Sequence, residues 1–444
     1  MTEQCTRALV CGFGRTGRTV ARVLAARGAA VRVVDRASAA ALGVDPREWG
    51  GVELLLGAHE ADVLADVDLV VPSPGIPRRD PVLAAAVAQG IRVASEIEVA
   101  FGLLDCPVVA ITGTNGKSTT TTLLGLAFAA AGRHPFVGGN LGTPLVAAAD
   151  GGFDVAVTEV SSFQLEWTER FRPVAAAVLN VTPDHLDRHE SFAEYRDLKG
   201  RLFATQGATD VAVVNRDDPV ALALGRTAPG RLLTFGHAPV TYGAFVSDTG
   251  LTIRLDDDEE RYDLGRTRLL GAHNHENVMA AALLARSMAV PRAAVQHAID
   301  TMEPLPHRLA LVAERRGVRW YDDSKATNVG AAAKSLTSLP GPLLLLAGGV
   351  DKGGDYAPLA AAARGKTRLA LVFGAAAERI AAALAAADVP VRRVTSLPEA
   401  VETAASAATR GDAVVLAPAC SSFDMFTDYA ARGRAFQAAV EGLG

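Results

Sequence analysis

Short runs of aliphatic and β-branched residues alternate with Ala/Leu-rich stretches along nearly the whole chain. The runs read as buried strands and the stretches as helices, which predicts an α/β architecture with largely parallel sheets. In a first block, "RALVCGFG", "AVRVVD", "DLVVPSPG" and "IRVASEIE" read as strands or strand ends. A second block opens at "CPVVAITGTNGKST" and continues through "DVAVTEVSSF", "VAAAVLNVTPDH" and "DVAVVNRDD". Between Gly236 and Leu270 apolar and polar residues alternate among turn residues, as in a few antiparallel strands. "NHENVMAAALLARSMAV" then reads as a helix and the proline-bearing "MEPLPHRLALV" as a linker. A third block places strands at "VRWYDDS", "PLLLLAGG", "RLALVFG" and "DAVVLAPA". The expectation is three α/β domains in series, over residues 1–98, 99–302 and 303–444.

Composition narrows the class. The chain is 49% hydrophobic and 21% charged, enough for real cores and far from a disordered composition. A formal net charge of −5 gives no general attraction to nucleic acid or to an anionic membrane, so neither is expected as a partner. The four cysteines, Cys5, Cys11, Cys106 and Cys420, are scattered, without a CxxC pair or a disulfide framework. No run of eighteen apolar residues and no signal-peptide pattern is present, so a cytoplasmic protein is expected.

Candidate chemistry sits in the glycine turns. Gly12-x-Gly14-x-x-Gly17 follows an apolar run and precedes a helix, a second run and the acid Asp35, the pattern of a dinucleotide-binding βαβ unit. A lone motif of this kind is weak, and nothing downstream offers a hydride-transfer site. The second turn is stronger: a strand, then Gly113-Thr114-Asn115-Gly116-Lys117-Ser118-Thr119, then a helix. Backbone N–H groups and the helix N-terminus suit phosphate there. Lys117 has the reach of the β/γ-phosphates, and Ser118 or Thr119 can place a hydroxyl on Mg²⁺. The full motif has a further glycine where this chain has Ile111, so the loop is a variant. Glu159, at a later strand end, is a candidate Mg²⁺ ligand or a surface acid. "LNVTPDHLDRH" sets Asp184, His185, Asp187 and His189 after another strand. They read as a Zn site, as one imidazole on a phosphate-bound Mg²⁺, or as a polar loop.

Eight segments occur in one order along the chain: "GTNGKSTTT", "GGNLGTPL", "EVSSFQLE", "LNVTPDHLDRH", "YRDLKGRLF", "LPHRLALV", "YDDSKATN" and "PACSSFDMFTDYAARG". Over essentially its full length the chain resembles the Mur ligase family. The resemblance implies a Rossmann-like N-terminal domain, a central P-loop domain and a Rossmann-like C-terminal domain. It implies an ATP-dependent amide ligase of cytoplasmic peptidoglycan precursor synthesis; a monomer is expected. The reaction it implies adds D-glutamate to UDP-N-acetylmuramoyl-L-alanine through an acyl phosphate; a variant using L-glutamate is the alternative.

The resemblance also reassigns the first glycine turn, from NAD to the uridine diphosphate of the substrate. Gly14, Arg15 and Thr16 would meet the diphosphate, Asp35 and Arg36 the uracil or ribose, and Ser73, Pro74 and Gly75 would close the same side. Asn140 would touch the muramoyl and alanyl groups. Gly113 to Thr119 would hold the triphosphate, Asn277 the adenine, with Arg308 and Asp323 reaching the nucleotide from the third domain. Ser118 and Glu159 would hold one Mg²⁺, and His185 and Lys199 a second. An ammonium has no lone pair for a metal, and the family's answer is a CO₂-derived carbamate on Lys199. Lys325, Thr327, Lys352, Ser422 and Phe423 would form the glutamate pocket, with Tyr429 nearby. Cys420 reads as a small buried residue, and His59, His134 and His237 receive no role.

Overall fold

The computed structural model describes residues 6–57, 62–186, 188–247, 250–256, 258–351 and 353–443. Among these residues the strands form three sheets, and the chain divides into two compact units. The first unit comprises Met1–Val181, Ala193–Gly265 and Glu276–Ile299 and carries two sheets. The second comprises Thr182–Phe192, Arg266–His275 and Asp300–Gly444 and carries one.

The first sheet contains β1 (Arg7–Cys11), β2 (Ala30–Asp35), β3 (Val52–Leu56), β4 (Leu69–Pro72) and β5 (Arg92–Val93). All its pairings are parallel, in the order β3-β2-β1-β4-β5. The helix Arg15–Ala26 buries Gly17, Val20, Ala21, Val23 and Leu24, apolar positions at helical spacing. Gly17 lets that helix press against the turn, because a Cβ there would stand 1.9 Å from the Gly12 carbonyl oxygen.

The second sheet begins with β6 (Val108–Thr112), β7 (Pro135–Gly139), β8 (Val155–Glu159), β9 (Ala175–Val178) and β10 (Val211–Asn215). It continues with β11 (Arg231–Gly236), β12 (Gly243–Ser247), β13 (Gly250–Leu255) and β14 (Asp258–Tyr262). The order is β14-β13-β12-β11-β10-β9-β6-β8-β7. The β12–β13 and β13–β14 pairs are antiparallel, where the alternating segment placed them.

The third sheet, in the second unit, has β15 (Ala310–Arg315), β16 (Val318–Asp322), β17 (Leu343–Gly348), β18 (Thr367–Phe373), β19 (Val391–Arg393) and β20 (Ala413–Leu416). Its order is β15-β16-β20-β17-β18-β19. The central strands β17 and β20 are buried along their whole length, and clusters of apolar side chains cover both faces. Continuous apolar runs such as "LLLLAG" are what a parallel sheet between two helical layers demands.

Two differences from the sequence reading have physical causes. "IRVASEIE" is a strand only at Arg92–Val93; Glu96–Phe101 is helical. The buried acids Glu96 and Glu98 give their oxygens to backbone N–H groups of Val146 and of Glu169, Arg170 and Phe171, a tertiary demand that alternation in the sequence does not display. Of the strands not anticipated, β3, β7, β15 and β19 lie at sheet edges, and β11 is interior. An edge strand keeps one side in water and needs no apolar run. No helix among the described residues is long and apolar enough to cross a membrane.

Candidate active site

The second sheet sets neighbouring strand ends side by side. Register pairs Ile111 of β6 with Glu159 of β8, Thr112 with Val178 of β9, and Gly139 of β7 with Glu159. The residues following β7, β6 and β9 are Asn140, the glycine loop from Gly113, and Leu179–Asn180. The loop therefore stands between an acid on one flank and an amide on the other. Ser118 Oγ donates to Glu159 Oε2 at 2.5 Å, and Asn140 Nδ2 donates to Glu159 Oε1 at 2.6 Å. Asn140, expected at the acceptor substrate, is thus placed on Glu159, and its backbone N–H bonds the Glu159 carbonyl as well.

On the other flank Asn180 clamps the loop. Its Oδ1 accepts from Asn115 N at 2.8 Å, its Nδ2 donates to Asn115 O at 3.1 Å, and its carbonyl accepts from Thr114 N at 2.9 Å. Tyr195 adds a bond from its hydroxyl to Thr114 Oγ1 at 3.2 Å. Sequence reasoning missed both residues, although each lies inside a quoted motif.

Lys117 Nζ donates to Gly113 O at 2.9 Å and to Thr114 O at 3.0 Å. Lys199, 1% exposed on the helix Phe192–Gly200, donates to the same Gly113 oxygen at 2.9 Å and lies 4.4 Å from the Tyr195 ring centroid. Sharing one acceptor keeps the two nitrogens within about 6 Å. At that separation two like charges repel by about 3 kcal/mol for an effective dielectric of about 20.

Gly116 ends the turn with φ +89°, and Asn277 of the helix Ala272–Ser287 packs on it. A Cβ at Gly116 would stand 2.1 Å from Asn277 Oδ1, so both backbone and space require glycine. Gly116→Ala is expected to weaken ATP binding at least about tenfold and to lower the melting temperature. Calorimetric titration and thermal melting check this, and native affinity in the variant would overturn the packing argument.

Ser118 and Glu159, both buried, supply hard oxygen donors beside the loop, of the kind that would suit one Mg²⁺. Among the described residues no cluster of three or more His, Cys, Asp or Glu side chains would hold a metal. Asp184, His185 and His189 therefore form no Zn site of that kind; Asp187 lies outside the described residues, as do Lys352 and His59.

The first sheet has a cavity at its strand ends, the place where open α/β sheets take ligands. The cavity, of about 540 Å³, is lined by Gly12, Asp35, Arg36, Gly75, Arg79 and Asp80, among others. Ser73 Oγ donates to Gly12 O at 3.1 Å, and Pro74 leads into the exposed Gly75. Asp35, expected at the uracil or ribose, accepts from Phe13 N at 2.6 Å and from Ala37 N at 2.8 Å, so its carboxylate braces the turn. Arg36 is exposed and pairs with Asp80 at 3.1 Å. Gly14 stands at the helix N-cap and Thr16 is half-buried in the first turn, while Arg15 donates to Gly142 O at 3.0 Å.

The remaining candidates lie in the second unit. His185 has φ +56° and its N–H bonds Asp184 Oδ1 at 2.9 Å, while Asn328 Nδ2 donates to Asp184 Oδ2 at 3.0 Å. Asp184 and Asn328 border a cavity of about 340 Å³ shared with Thr182, Asp351 and Tyr356. Thr327 and Lys325 follow β16, and Lys325 Nζ lies 4.0 Å from the Tyr429 ring centroid. That contact gives Tyr429 a structural partner. Ser422 is buried and Phe423 exposed on the loop after β20. Cys420 is buried, its sulfur 3.1 Å from the Tyr356 hydroxyl.

Arg308 is half-buried beside Asp323, whose carboxylate accepts from Leu309 N at 3.1 Å and from the Ser335 hydroxyl. Burial pushes the Asp323 carboxyl up from 3.8 to about 6, against the pull of Ser335 and Arg308. The folded state then holds this proton more tightly than the unfolded state. Its contribution to stability is fully present below pH 3.8 and is lost as pH rises through about 6. Melting temperatures across that window should fall more steeply for the wild type than for Asp323→Asn; parallel curves would reject the shift.

The Mur ligase middle domain matches residues 111–285, the MurD-like N-terminal domain residues 6–95, and the Mur ligase glutamate ligase domain residues 307–420. A UDP-N-acetylmuramoylalanine–D-glutamate ligase of Geobacter metallireducens is 46% identical over 441 residues, covering 98% of this chain and 97% of its own. The enzyme of the same name from Anaeromyxobacter dehalogenans is 46% identical over 448 residues, covering 97% and 96%. Among solved structures, a pseudomurein peptide ligase type C from Methanothermus fervidus matches with TM-score 0.65 at 19% identity, covering 99% of this chain and 100% of its own. A UDP-N-acetylmuramate-alanine ligase from Thermotoga maritima matches with TM-score 0.62 at 18% identity, covering 99% and 100%. These two matches carry the fold.

Proposed function

The chain belongs to the Mur ligase family, and on that premise we propose its reaction and the residues that serve it. It is an ATP-dependent ligase that adds D-glutamate to UDP-N-acetylmuramoyl-L-alanine in peptidoglycan precursor synthesis. The observation that carries the reading is the loop holding Lys117, with the Ser118–Glu159 pair at one side and the Lys199 amine on its first carbonyl.

A carboxylate oxygen is a very poor leaving group, so amide formation begins with activation. The L-alanyl carboxylate attacks the γ-phosphorus of ATP, the bond to the bridging oxygen breaks, and an acyl phosphate and ADP result. The glutamate amine then attacks the acyl carbon, phosphate departs, and the amine gives up a proton. Positioning and charge neutralisation dominate the first step. The N–H groups of Gly113–Thr119 and the ammonium of Lys117 hold the triphosphate, and Asn277 faces the adenine. Ser118 and Glu159 hold one Mg²⁺, with Asn140 and Asn180 keeping acid and loop in place. Bound magnesium supplies positive charge across the phosphoryl oxygens.

His185 and Lys199 serve the second Mg²⁺ site, with Lys199 as a carbamate. The ammonium first gives up one proton; the neutral amine then takes up CO₂, forms an N–C bond and releases a second proton, so a cation becomes an anion. That change also relieves the like-charge crowding at the Gly113 oxygen. Arg308 and Asp323 reach the nucleotide from the domain over residues 303–444, and Lys325, Thr327, Lys352, Ser422 and Phe423 receive glutamate. The domain over residues 1–98 holds the uridine diphosphate with Gly14, Arg15, Thr16, Arg36, Ser73, Pro74 and Gly75, on a turn braced by Asp35. The enzyme works as a cytoplasmic monomer.

Phosphate release is the test, with ATP, Mg²⁺ and UDP-N-acetylmuramoyl-L-alanine, and with D-glutamate, L-glutamate or no amino acid. Release that depends on D-glutamate, with a product one glutamyl residue heavier, is expected. Dependence on L-glutamate would correct the stereochemistry alone. Absence of amino-acid-dependent release from folded protein would remove the ligase reading.

A further inference from the structure

Arg432, on the helix Tyr429–Glu441, is 1% exposed and ranks among the largest fully buried side chains. Burial draws its guanidinium down to about 10, which leaves it charged at neutral pH. A buried cation normally has a carboxylate partner, yet none of the described residues offers Arg432 one within ion-pair distance. Its acceptors are neutral. Nε donates to Ser324 Oγ and Nη2 to Ser324 O, both at 2.9 Å. Nη1 meets Cys420 O at 3.1 Å, Gly348 O at 3.3 Å and Ser421 O at 3.4 Å.

These acceptors belong to three loops. Ser324 follows β16, Gly348 ends β17, and Cys420 and Ser421 follow β20. The three strands are neighbours in the order β16-β20-β17, so one guanidinium spans three adjacent strand ends. Lys325 and Thr327 continue the first loop, and Ser422 and Phe423 the third. We propose that Arg432 is a positioning residue, fixing the spacing of these loops and through it the affinity for the amino-acid substrate. The inference rests on the glutamate site proposed above. The planar fork matters as well as the charge, since its donors leave in several fixed directions at once; an ammonium is a point charge with three donors on a flexible stem.

The test is Arg432→Lys, with KM measured separately for D-glutamate, ATP and UDP-N-acetylmuramoyl-L-alanine, alongside thermal melting. The KM for D-glutamate should rise about tenfold or more, the range that outer-shell partners of a site command. The other two KM values should stay within about twofold. Because a buried arginine can be needed for folding, Ser324→Ala gives a second reading: it removes one acceptor and should raise the same KM by less, with native melting. An unchanged KM for D-glutamate in both variants overturns the proposal. So does a parallel rise in all three KM values with a fall in melting temperature. Wild-type enzyme separates the two readings. Glutamate-dependent release there, with no KM change in the variants, removes only the role of Arg432, whereas no release in the wild type removes both.

Discussion

Replacing Lys117 by methionine should lower the rate of amino-acid-dependent phosphate release by about 10²- to 10³-fold, the loss that follows removal of one preorganised transition-state donor. In the structure the ammonium rests on the carbonyls of Gly113 and Thr114, in the loop proposed to hold the triphosphate. The side chain is half-buried and enters no apolar core, so the melting temperature should barely move. Steady-state kinetics paired with melting curves would read both. A folded Lys117→Met enzyme that retains most of its turnover would show that the loop binds phosphate through its backbone alone.

The second large effect is expected at Lys199. Lys199→Ala should cost about a hundredfold in turnover or more, as losses at metal-supporting positions do. This side chain is buried, so activity alone would confound chemistry with packing. Enzyme equilibrated with ¹³C-bicarbonate should give a carbamate carbon resonance in the wild type and none in Lys199→Ala. A wild type without that resonance would leave Lys199 an ordinary ammonium on the Gly113 carbonyl. Unchanged turnover in the variant would remove Lys199 from the second metal site.

The fold was legible where strands are buried on both faces. "VVAIT", "AVVL" and "LLLLAG" announce themselves because a parallel sheet under helices has no place for polar side chains. Edge strands such as β3 and β7 do not, since half their surface is wet. The glycine turn after β6 was legible because its signal is local, a few consecutive residues between a strand and a helix. The supports of that loop were not. Asn180 and Tyr195 lie 65 and 81 positions along the chain from their partners, and Arg432 lies 108 from Ser324. Asp35 and Asn140, expected at the substrate, each also hold another group of the chain in place. A spacing pattern finds the residue but not which neighbour the fold will offer it.

The cavity beside Arg36, Arg79 and Asp80 bears on the inhibition of such an enzyme. A compound built for the Gly113–Thr119 loop would bargain mainly with backbone N–H groups, which every phosphate-binding loop in a cell presents alike. One built for the first sheet would meet side chains as well, two guanidiniums and two carboxylates beside Val34, Ile76 and Val82. With the sites proposed above, selectivity against other ATP-consuming enzymes is therefore easier to design at the first sheet than at the Gly113–Thr119 loop.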